Sequence, residues 1–473
     1  MRTRHPRAAF AHRVPAPGVA LLGIFATLLA ASSAWGCPTQ DPDRDGCLSW
    51  RGITFYGVVD IGLQHQTHGA PPSDYIAYST EPVVQRNSNR SVTALASSPL
   101  SWSRIGVVGT EPLGGDWSGV FRFETYFNPT SGNLSDGLKS LTLNNGRPLA
   151  TQTANLDSSV AGQLFGGAAY AGLSSPRFGA LTFGRQLTLL ADGIVRYDAI
   201  EDGQDSGHAF SLLGGSRTAA GGGTTEDTRL DQSLKYAAAP SWLHLAALYQ
   251  FGGTGRSSNT ALQGQAGVSF AGASADAFYA RKYDAISASA LSATQVAGLA
   301  PGLPLAKSVA ATVSDNTAWA LAGSYDLGTV KLFGGYEHIS FADPRTPLVP
   351  GFVDIGGYVL ASVSNSAYAR ERVLQVYWAG LKWRASRDFY LAASWYGYRQ
   401  NSFATGVEAG CSSSVSSGCS GSEKAIGVVG DYSLGRHFDA YLGGVWTEVA
   451  DGLASGYLNP ATMTTTLGLR LRF

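Results

Sequence analysis

The sequence predicts an all-β fold: a transmembrane antiparallel β-barrel of 16 strands, with tight turns at one edge and long loops at the other. Three observations support this prediction. Apolar and polar side chains alternate with a period of two along most of the chain. The alternating segments are long enough for tilted strands that cross a bilayer, which need roughly 9–11 residues. Short and long connections follow one another in turn, as in outer-membrane barrels.

The first and last segments show the alternation most clearly. In "GITFYGVVDIGLQ", Ile53, Phe55 and Leu63 fall on one face, and Tyr56 and Asp60 fall on the other. The chain ends in "TTTLGLRLRF". Its outward face carries Leu467, Leu469, Leu471 and Phe473, so the final ring is expected in the aromatic girdle of a closing strand that pairs with 53–65. Arg470 and Arg472 lie on the other face and are expected to face water at the periplasmic mouth.

Counting the segments gives 16 strands, an even number as in bacterial single-chain barrels. The predicted strands are 53–65, 103–111, 117–127, 164–174, 178–187, 228–238, 242–251, 264–272, 273–283, 316–326, 329–341, 373–384, 388–398, 423–433, 437–449 and 463–473. The long loops between them are 66–102, 129–162, 188–227, 285–315, 343–371 and 399–421. A soluble β-sandwich or an all-β solenoid also alternates, but neither sustains so many segments with such unequal loops, and no fixed-period repeat is present.

Composition narrows the class of protein further. The 34 basic residues equal the 34 acidic ones, which argues against a nucleic-acid partner. Only 14% of residues are charged, and 59 are glycine, as many short strands and turns require. After residue 36 no stretch of 18 residues is continuously apolar, so the sequence predicts no transmembrane helix beyond that point.

The N-terminus predicts a signal peptide at 1–36. A basic leader with four arginines precedes the apolar stretch 19–31, and Ser32, Ser33 and Ala34 suit a signal peptidase. A retained anchor is the alternative, although 13 apolar residues are short for a bilayer. A short polar segment, 37–52, would then precede the barrel, 53–473. The expected location is the outer membrane, after removal of the signal.

The four cysteines form two close pairs, and an exported chain favours disulfides within them. The candidates are Cys37 with Cys47 and Cys411 with Cys419. Lipid attachment at Cys37 fits poorly because Trp35 stands where a small residue is needed. The acids of "DPDRDG" at 41–46 resemble part of a calcium loop, but Gly52 replaces its bidentate glutamate, and a weak calcium site stays open. Zinc spacing is absent, so no cofactor is predicted.

Several segments, in the same order along the chain, resemble those of a known family. They are "TFYGVVDIGL", "SRIGVVGTEPLGGDWSGVFRFETYFNPTSG", "FGGAAYAGLSSPRFGALTFGRQ", "DQSLKYAAAPSW", "GSYDLGTVKLFGGYEH", "GDYSLGRHFDAYLGGVW" and the terminal "LGLRLRF". Together they resemble the general porins of Gram-negative bacteria, especially the trimeric type of β-proteobacteria. The resemblance implies short periplasmic turns, long extracellular loops, a homotrimer, and passive diffusion of small hydrophilic solutes and ions.

The resemblance also implies a pore constriction. The third extracellular loop, 188–227, would fold into the barrel with Asp192, Asp198, Glu201, Asp202 and Asp205; a solvated acidic surface loop is the alternative. Arg104 and Arg229 match positions of the family's arginine ladder. Arg122 is a candidate from alternation, because Phe121 and Phe123 would face lipid. Gly167 stands where family members often have an arginine, so the ladder is thinner and the sign of ion selectivity stays open.

Further expectations concern partners and rival functions. A terminal Phe473 resembles the signal read by the barrel-assembly machinery, and the other expected partners are outer-membrane lipid and lipopolysaccharide. The rivals are a solute-specific channel and a barrel that serves as an enzyme or adhesin. His338 and Ser340 share a face, as in outer-membrane phospholipases, but the sequence identifies neither a base-orienting partner nor an oxyanion hole. A channel without enzymatic activity is therefore predicted.

Overall fold

The structure is a computed structural model that describes residues 48–76, 90–155, 160–200, 209–213, 228–238, 240–252, 260–406 and 416–473, with the backbone alone at 354 and 355. Its strands are, in chain order, β1 (Leu48–Trp50), β2 (Ile53–Gln66), β3 (Val92–Ser97), β4 (Arg104–Gly114), β5 (Trp117–Tyr126), β6 (Ala168–Ser175), β7 (Gly179–Leu187), β8 (Arg229–Ala237), β9 (Leu243–Gln250), β10 (Ala261–Phe270), β11 (Ala273–Ser289), β12 (Ser308–Asp326), β13 (Val330–Ala342), β14 (Phe352–Ile355), β15 (Tyr358–Ser364), β16 (Arg372–Arg384), β17 (Phe389–Gln400), β18 (Gly421–Ser433), β19 (Phe438–Asp451) and β20 (Ala461–Arg472). Three short helices lie in the loops: α1 (Gly137–Thr142), α2 (Leu189–Ile194) and α3 (Ala293–Ala297).

The strands close into the predicted 16-stranded antiparallel barrel. Each barrel strand pairs with its neighbour, and β20 pairs with β2 in antiparallel register to close the ring. β3 and β4 together make the second barrel strand, because β3 pairs with the upper half of β2 and β4 pairs with the lower half. The remaining extra strands, β1, β14 and β15, lie outside the ring of barrel strands.

The long loops contain more regular structure than the sequence predicts. β3 lies within the predicted loop 66–102, and the hairpin β14–β15 lies within the predicted loop 343–371. β11 and β12 also run beyond their predicted ends, past a register shift between Lys282 and Ala285. β15 then pairs with this extension of β12 in parallel. Short loop strands escape a period-two search because a few residues do not establish a period.

The two faces of each barrel strand differ as predicted. On β2 and β20 the outward residues Leu63, Leu467 and Leu469 are each more than half exposed, at 55%, 58% and 56%. The inward neighbours Asp60, Gln64 and their equivalents on β20 are buried. An apolar outer band matches a lipid environment, since a charge on that face costs roughly 2–4 kcal/mol at the midplane.

The C-terminal residue completes the seam between the first and last strands. The backbone N–H of Gly57 donates to the carbonyl of Phe473 at 2.8 Å, and the N–H of Phe473 donates back to Gly57 at 3.1 Å. The Phe473 ring also lies 5.8 Å from the Phe55 ring. A Cβ atom at residue 57 would come within 2.4 Å of Phe473 Cζ, so the glycine makes room for the terminal ring.

The expectation that Arg470 faces water at the periplasmic mouth is wrong. Arg470 is 2% exposed and is among the largest fully buried side chains of the described residues. Its guanidinium pairs with Asp431 on β18 at 2.6 Å and with Asp439 on β19 at 3.2 Å. Arg472 is less buried and pairs with the same Asp439 at 2.5 Å. Both arginines therefore belong to an ion-pair network at the seam.

An inward excursion of the wall, residues 98–103, separates β3 from β4. Asp60 on β2 holds it, because its Oδ2 accepts from the N–H of Leu100 at 2.8 Å and of Ser101 at 2.6 Å. Ser98 has a positive φ of 52°, which turns the chain toward the lumen. This excursion places Trp102 inside the barrel, next to the constriction.

The third loop enters the lumen, as the resemblance implies. From the end of β7 it packs α2 and residues 195–200 against the inward faces of β10 to β17, and residues 209–213 continue along the same wall. Leu190, Ile194, Tyr197, Leu212 and Leu213 join one buried apolar cluster. The wall contributes inward apolar side chains to that cluster, listed as Phe278, Ala280, Ile339, Phe341, Trp378 and Tyr398 among others. The loop therefore covers a patch of inward-facing apolar side chains on these strands.

No helix in the described part of the chain is long and apolar enough to cross a membrane. Several sequence predictions fall outside the described ranges: the signal peptide, the acids at 41–46, Cys37, Cys47 and Cys411. Cys419 is described and is disulfide-bonded. Its pairing with Cys411 stays a prediction.

Candidate pore constriction

The wall side of the constriction is built around one buried carboxylate, Glu124 on β5. Arg122, two residues before it, donates from Nη2 to Glu124 Oε2 at 2.6 Å, and Arg104 Nε on β4 lies 3.5 Å from the same oxygen. The hydroxyls of Tyr56 and Tyr126 also donate to Glu124, at 2.6 and 2.8 Å. Two cations therefore share one anion. Alternation on β5 brings Arg122 and Glu124 to the same inward face.

Arg229, at the start of β8, reaches the same cluster through aromatic rings. Its guanidinium carbon lies 4.8 Å from the Trp102 ring centroid and 4.6 Å from that of Tyr126. Arg229 Nη2 donates to the Tyr126 hydroxyl at 2.5 Å. Stacking and hydrogen bonding hold the guanidinium in place, and none of these contacts is with a carboxylate. Arg229 is only 4% exposed. Arg104, Arg122 and Arg229 thus lie together, although they come from three different strands.

Gly167 stands where the resemblance implies an arginine, and its surroundings leave little room for a side chain. A Cβ atom at this position would lie 2.7 Å from Glu124 Oε1 and 3.0 Å from the Tyr126 ring. The backbone carbonyl of Gly167 instead accepts from Arg229 Nε at 3.0 Å. The space that a side chain would need is filled by the Glu124 and Tyr126 side chains, and Arg229 is anchored to the glycine backbone.

The loop side begins with α2, which Thr188 caps by accepting from the N–H of Ala191 at 3.1 Å. Asp192 lies in the first turn of this helix and is partly exposed. Its Oδ2 is 3.3 Å from Lys235 Nζ on β8 and 3.4 Å from Arg196 Nη2. Arg196 is the more exposed of the two cations, with 49% of its side chain accessible. The predicted acid of the loop is therefore shared by two cations.

The ionisation of Asp192 follows from this geometry. Burial alone raises the pKa of a carboxyl group, but the Lys235 ammonium and the Arg196 guanidinium outweigh burial here and hold the pKa of Asp192 below its usual range. Asp192 is consequently charged at neutral pH. The two cations compensate its negative charge, so this acid does not present a free negative charge to the lumen.

Asp198 has a different role from the one predicted. It is fully buried, and its carboxylate accepts from the hydroxyls of Ser211 at 2.6 Å, Ser394 at 2.8 Å and Tyr396 at 2.8 Å. Ser394 and Tyr396 lie on β17, so these bonds fasten the loop to the barrel wall. Burial raises the pKa of Asp198, while the hydroxyl donors work against that rise. Asp198 anchors the loop and does not line the water path.

Tyr197, the neighbouring residue, provides a second anchor. Its backbone carbonyl accepts from Trp378 Nε1 on β16 at 2.9 Å, and its hydroxyl donates to Asp276 on β11 through a short hydrogen bond. Asp276 also pairs with His244 Nδ1 at 3.0 Å. The loop is thus held by polar contacts at two adjacent positions in addition to its apolar packing.

The other predicted acids, Glu201, Asp202 and Asp205, lie outside the described residues. Alternation along the sequence places Glu124 on the inward face with Arg122, but it does not reveal that Glu124, Tyr126 and Trp102 hold the arginines, or that Lys235 and Arg196 pair with Asp192. Inward alternation could also have found Lys235. Trp102 gave no such signal, because it lies on the excursion between β3 and β4.

The fold defines a class: a closed antiparallel β-barrel with an apolar outer band and a loop folded into its lumen. The sequence profile of Gram-negative porins matches residues 18–451. The chain belongs to the Gram-negative porin family, and it is an outer-membrane diffusion channel.

Solved structures agree with the fold. An anion-selective porin from Comamonas acidovorans is 17% identical, with a TM-score of 0.57, covering 89% of this chain and 99% of that one. The trimer form of OmpT, an outer membrane protein of Vibrio cholerae, is 13% identical, with a TM-score of 0.52 and coverage of 89% and 99%. Salmonella typhi OmpF in complex with daunomycin is 14% identical, with a TM-score of 0.51 and coverage of 90% and 100%. No curated protein sequence matches this chain.

Proposed function

We propose that small hydrophilic solutes and ions pass by diffusion through the opening between the arginine wall and the infolded loop, and that anions pass more readily than cations. The observation that carries the selectivity is the ratio of charges in the two clusters. On the wall, Arg104 and Arg122 pair with the single carboxylate of Glu124, and Arg229 donates to Tyr126, which itself donates to Glu124. On the loop, Asp192 is shared by Lys235 and Arg196. Each cluster has more cations than anions, and a positive field lowers the barrier for anions.

The acids beyond the described residues set the strength of this preference. Glu201, Asp202 and Asp205 follow Asp198 in the loop, and any that reach the lumen reduce the excess positive charge. The preference for anions should therefore be modest, and it should rise when these three acids are neutralised together. The relative from Comamonas acidovorans, described as anion-selective, agrees with this sign.

Planar-bilayer recording tests the proposal directly. Purified protein should give open channels, and the reversal potential in a salt gradient should have the sign of anion preference. A homotrimer should close in three steps, in line with the trimer form of a structural relative. Folded protein without conductance would contradict the channel, and a reversal potential of cationic sign would contradict the selectivity. A solute that blocks the current at low concentration would instead indicate a solute-specific channel.

The remaining proposals concern processing and partners. We expect removal of residues 1–36, a polar segment at 37–52, and disulfides Cys37–Cys47 and Cys411–Cys419. Lipopolysaccharide, outer-membrane lipid and the barrel-assembly machinery are the expected partners. Mass determination of the mature protein, before and after reduction, tests the cleavage site and the disulfides.

We propose that the channel has no enzymatic activity. One arrangement of side chains offers an alternative, a hydrolytic site, that can be tested. Ser269 Oγ lies 3.0 Å from His244 Nε2, and His244 Nδ1 lies 3.0 Å from Asp276 Oδ1, a serine–histidine–aspartate order. The other oxygen of Asp276 accepts from Tyr197, so the same contacts anchor the loop. The pair His338 and Ser340, which the sequence does not favour as a catalytic pair, is less suited, because the His338 ring stacks on the Trp319 ring with 5.7 Å between centroids. Ester hydrolysis that disappears in Ser269→Ala would favour the enzyme; equal background rates would favour the channel.

A further inference from the structure

The second extracellular loop, which joins β5 to β6, crosses the mouth of the barrel. Its helix α1 buries Leu138 and Leu141 completely or nearly so, at 0% and 3% exposure. Both pack in one apolar cluster with Val309 and Val313 of β12. In the closed ring, the pair β11–β12 lies six barrel strands away from β5–β6, close to the opposite wall. Contact between these elements therefore spans most of the opening.

The opposite wall extends toward this loop. β11 and β12 continue past their register shift, where Asp284 takes a positive φ of 50°, and the extension is buried at Ala285, Val309 and Val313. β15 adds to it in parallel, from Ser308 opposite Val359 to Thr312 opposite Ser364. The result is a small sheet with an apolar face that α1 covers. We name α1, β14, β15 and the extensions of β11 and β12 the roof.

Polar contacts fix the roof at both ends of the crossing. Asn145, just after α1, donates from Nδ2 to the carbonyls of Leu305 at 3.0 Å and Ser308 at 2.7 Å, and its Oδ1 accepts from the N–H of Leu291 at 2.8 Å. Asp136, the N-cap of α1, accepts from the Tyr358 hydroxyl at 3.0 Å. All four partners belong to the opposite side. A loop merely lying over the rim would not need such contacts.

The roof is separate from the constriction below it. The candidate charged opening lies between Arg104, Arg122 and Arg229 on the wall and α2 on the loop, whereas the roof joins the loops at the mouth through apolar packing and hydrogen bonds, one of them to the Asp136 carboxylate. A solute that enters from the long-loop side must pass around or through the roof before it reaches the arginines and α2. The packing across the mouth restricts its passage there by size.

We propose that the roof is a second selectivity element, which sets the size limit for solutes, while the arginine constriction below it sets the charge preference. The inference rests on the proposed diffusion function. The proposal assigns size selection to helix α1, which packs against the sheet of β12 and β15 and is held there by the hydrogen bonds of Asn145. The substrates it would exclude are neutral or charged hydrophilic molecules of oligosaccharide size, which a charge filter alone would not distinguish from monosaccharides.

Liposome swelling with a series of neutral sugars tests this division of roles. Asn145→Ala removes three hydrogen bonds across the mouth, and a second variant replaces residues 137–145 with a glycine–serine linker and so removes α1. Both should admit trisaccharides faster than the parent, by on the order of tenfold for the linker variant, with little change for monosaccharides. The matched control is Asn133→Ala, in the same loop, whose side chain contacts Ser131. It should leave the size limit unchanged.

Reversal potentials complete the test and separate it from the channel proposal. The linker variant should keep the parent's reversal potential, which shows that the charged constriction is intact and the barrel folded. If the linker variant keeps the parent's reversal potential and also the parent's size limit, the inference is overturned. A loss of trisaccharide uptake in this variant would overturn it as well. A parent protein that does not conduct would instead contradict the diffusion function itself.

Discussion

Arg470 on the last strand donates to Asp431 two strands away, with a distance of 2.6 Å between Nη2 and Oδ2, and both side chains are almost completely buried, at 2% and 3%. Arg470 also donates to Ser101 Oγ at 2.7 Å, on the excursion beside the first strand. A single guanidinium therefore ties β18, β19 and β20 to the wall on the other side of the seam. Tyr441 joins the same network through a short hydrogen bond to Asp60.

Removal of this guanidinium should weaken the barrel strongly. Arg470→Met leaves the buried Asp431 without its ion-pair partner, while Asp439 keeps Arg472, and removal of one partner of a buried pair typically costs about 3–5 kcal/mol. We expect a lower urea midpoint and loss of heat-resistant folded protein in electrophoresis. Arg472→Met is the matched control, because that side chain is 18% exposed and should cost less. Equal losses in the two variants would contradict a special role of Arg470.

The stacked arginine should control ion selectivity. Arg229→Gln removes a cation that contacts no carboxylate among its described partners, so the reversal potential should shift toward cations. Conductance should persist, since the aromatic pair Trp102 and Tyr126 remains. Recordings in a tenfold salt gradient measure the shift. Arg281→Gln, an exposed arginine on the outward face of β11, removes the same charge outside the lumen and should leave the potential unchanged.

The loop cluster predicts opposite effects from two neighbouring substitutions. Asp192→Asn leaves Lys235 and Arg196 without their shared anion, so anion preference should increase. Arg196→Gln removes the most exposed cation of the cluster, so anion preference should decrease. The same salt-gradient recordings apply to both. Shifts of the same sign would show that these groups act through a change in the loop's position and not through their charge.

Stability should depend on pH through the same aspartate. Because the folded-state pKa of Asp192 lies below its ordinary value of 3.8, its charge stabilises the fold above that value, and the contribution is lost as the pH falls further. Asp192→Asn should therefore cost about 1 kcal/mol or less at pH 7, as suits a partly exposed pair, and progressively less in stronger acid. Urea unfolding at a series of pH values measures this. A constant difference between variant and parent at all pH values would argue against the ion pairs.

Much of the fold could be predicted from the sequence, because alternation is a local property of each strand. The inward side of Arg122 and the outward side of Leu467 follow from their immediate neighbours. The pairing of the last strand with the first also follows, since closure leaves the end strands no other partner. The short strands β3, β14 and β15 could not be predicted, because their partners are distant and their length is too small for a period.

Candidate residues for the site could be selected from the sequence, but their contacts could not. Alternation and resemblance selected Arg104, Arg122, Arg229, Asp192 and Asp198. They did not reveal that Asp198 binds Ser394 and Tyr396 on a strand almost 200 residues away, or that Lys235 takes up the charge of Asp192. An acid in a loop looks the same in the sequence whether it lines water, neutralises a cation or anchors the loop.

The sequence by itself determined the barrel, its strand number and the faces of its strands, because each of these depends on neighbours one or two residues apart. Only the tertiary structure decided which charged side chains pair with one another and which face water. The pairing of β18 and β20 with β19 brings Arg470 to Asp431, and the infolded loop brings Asp192 to Lys235. Whether a charged group faces water or a partner depends on which distant strand the barrel places beside it, and the local pattern carries no record of that neighbour.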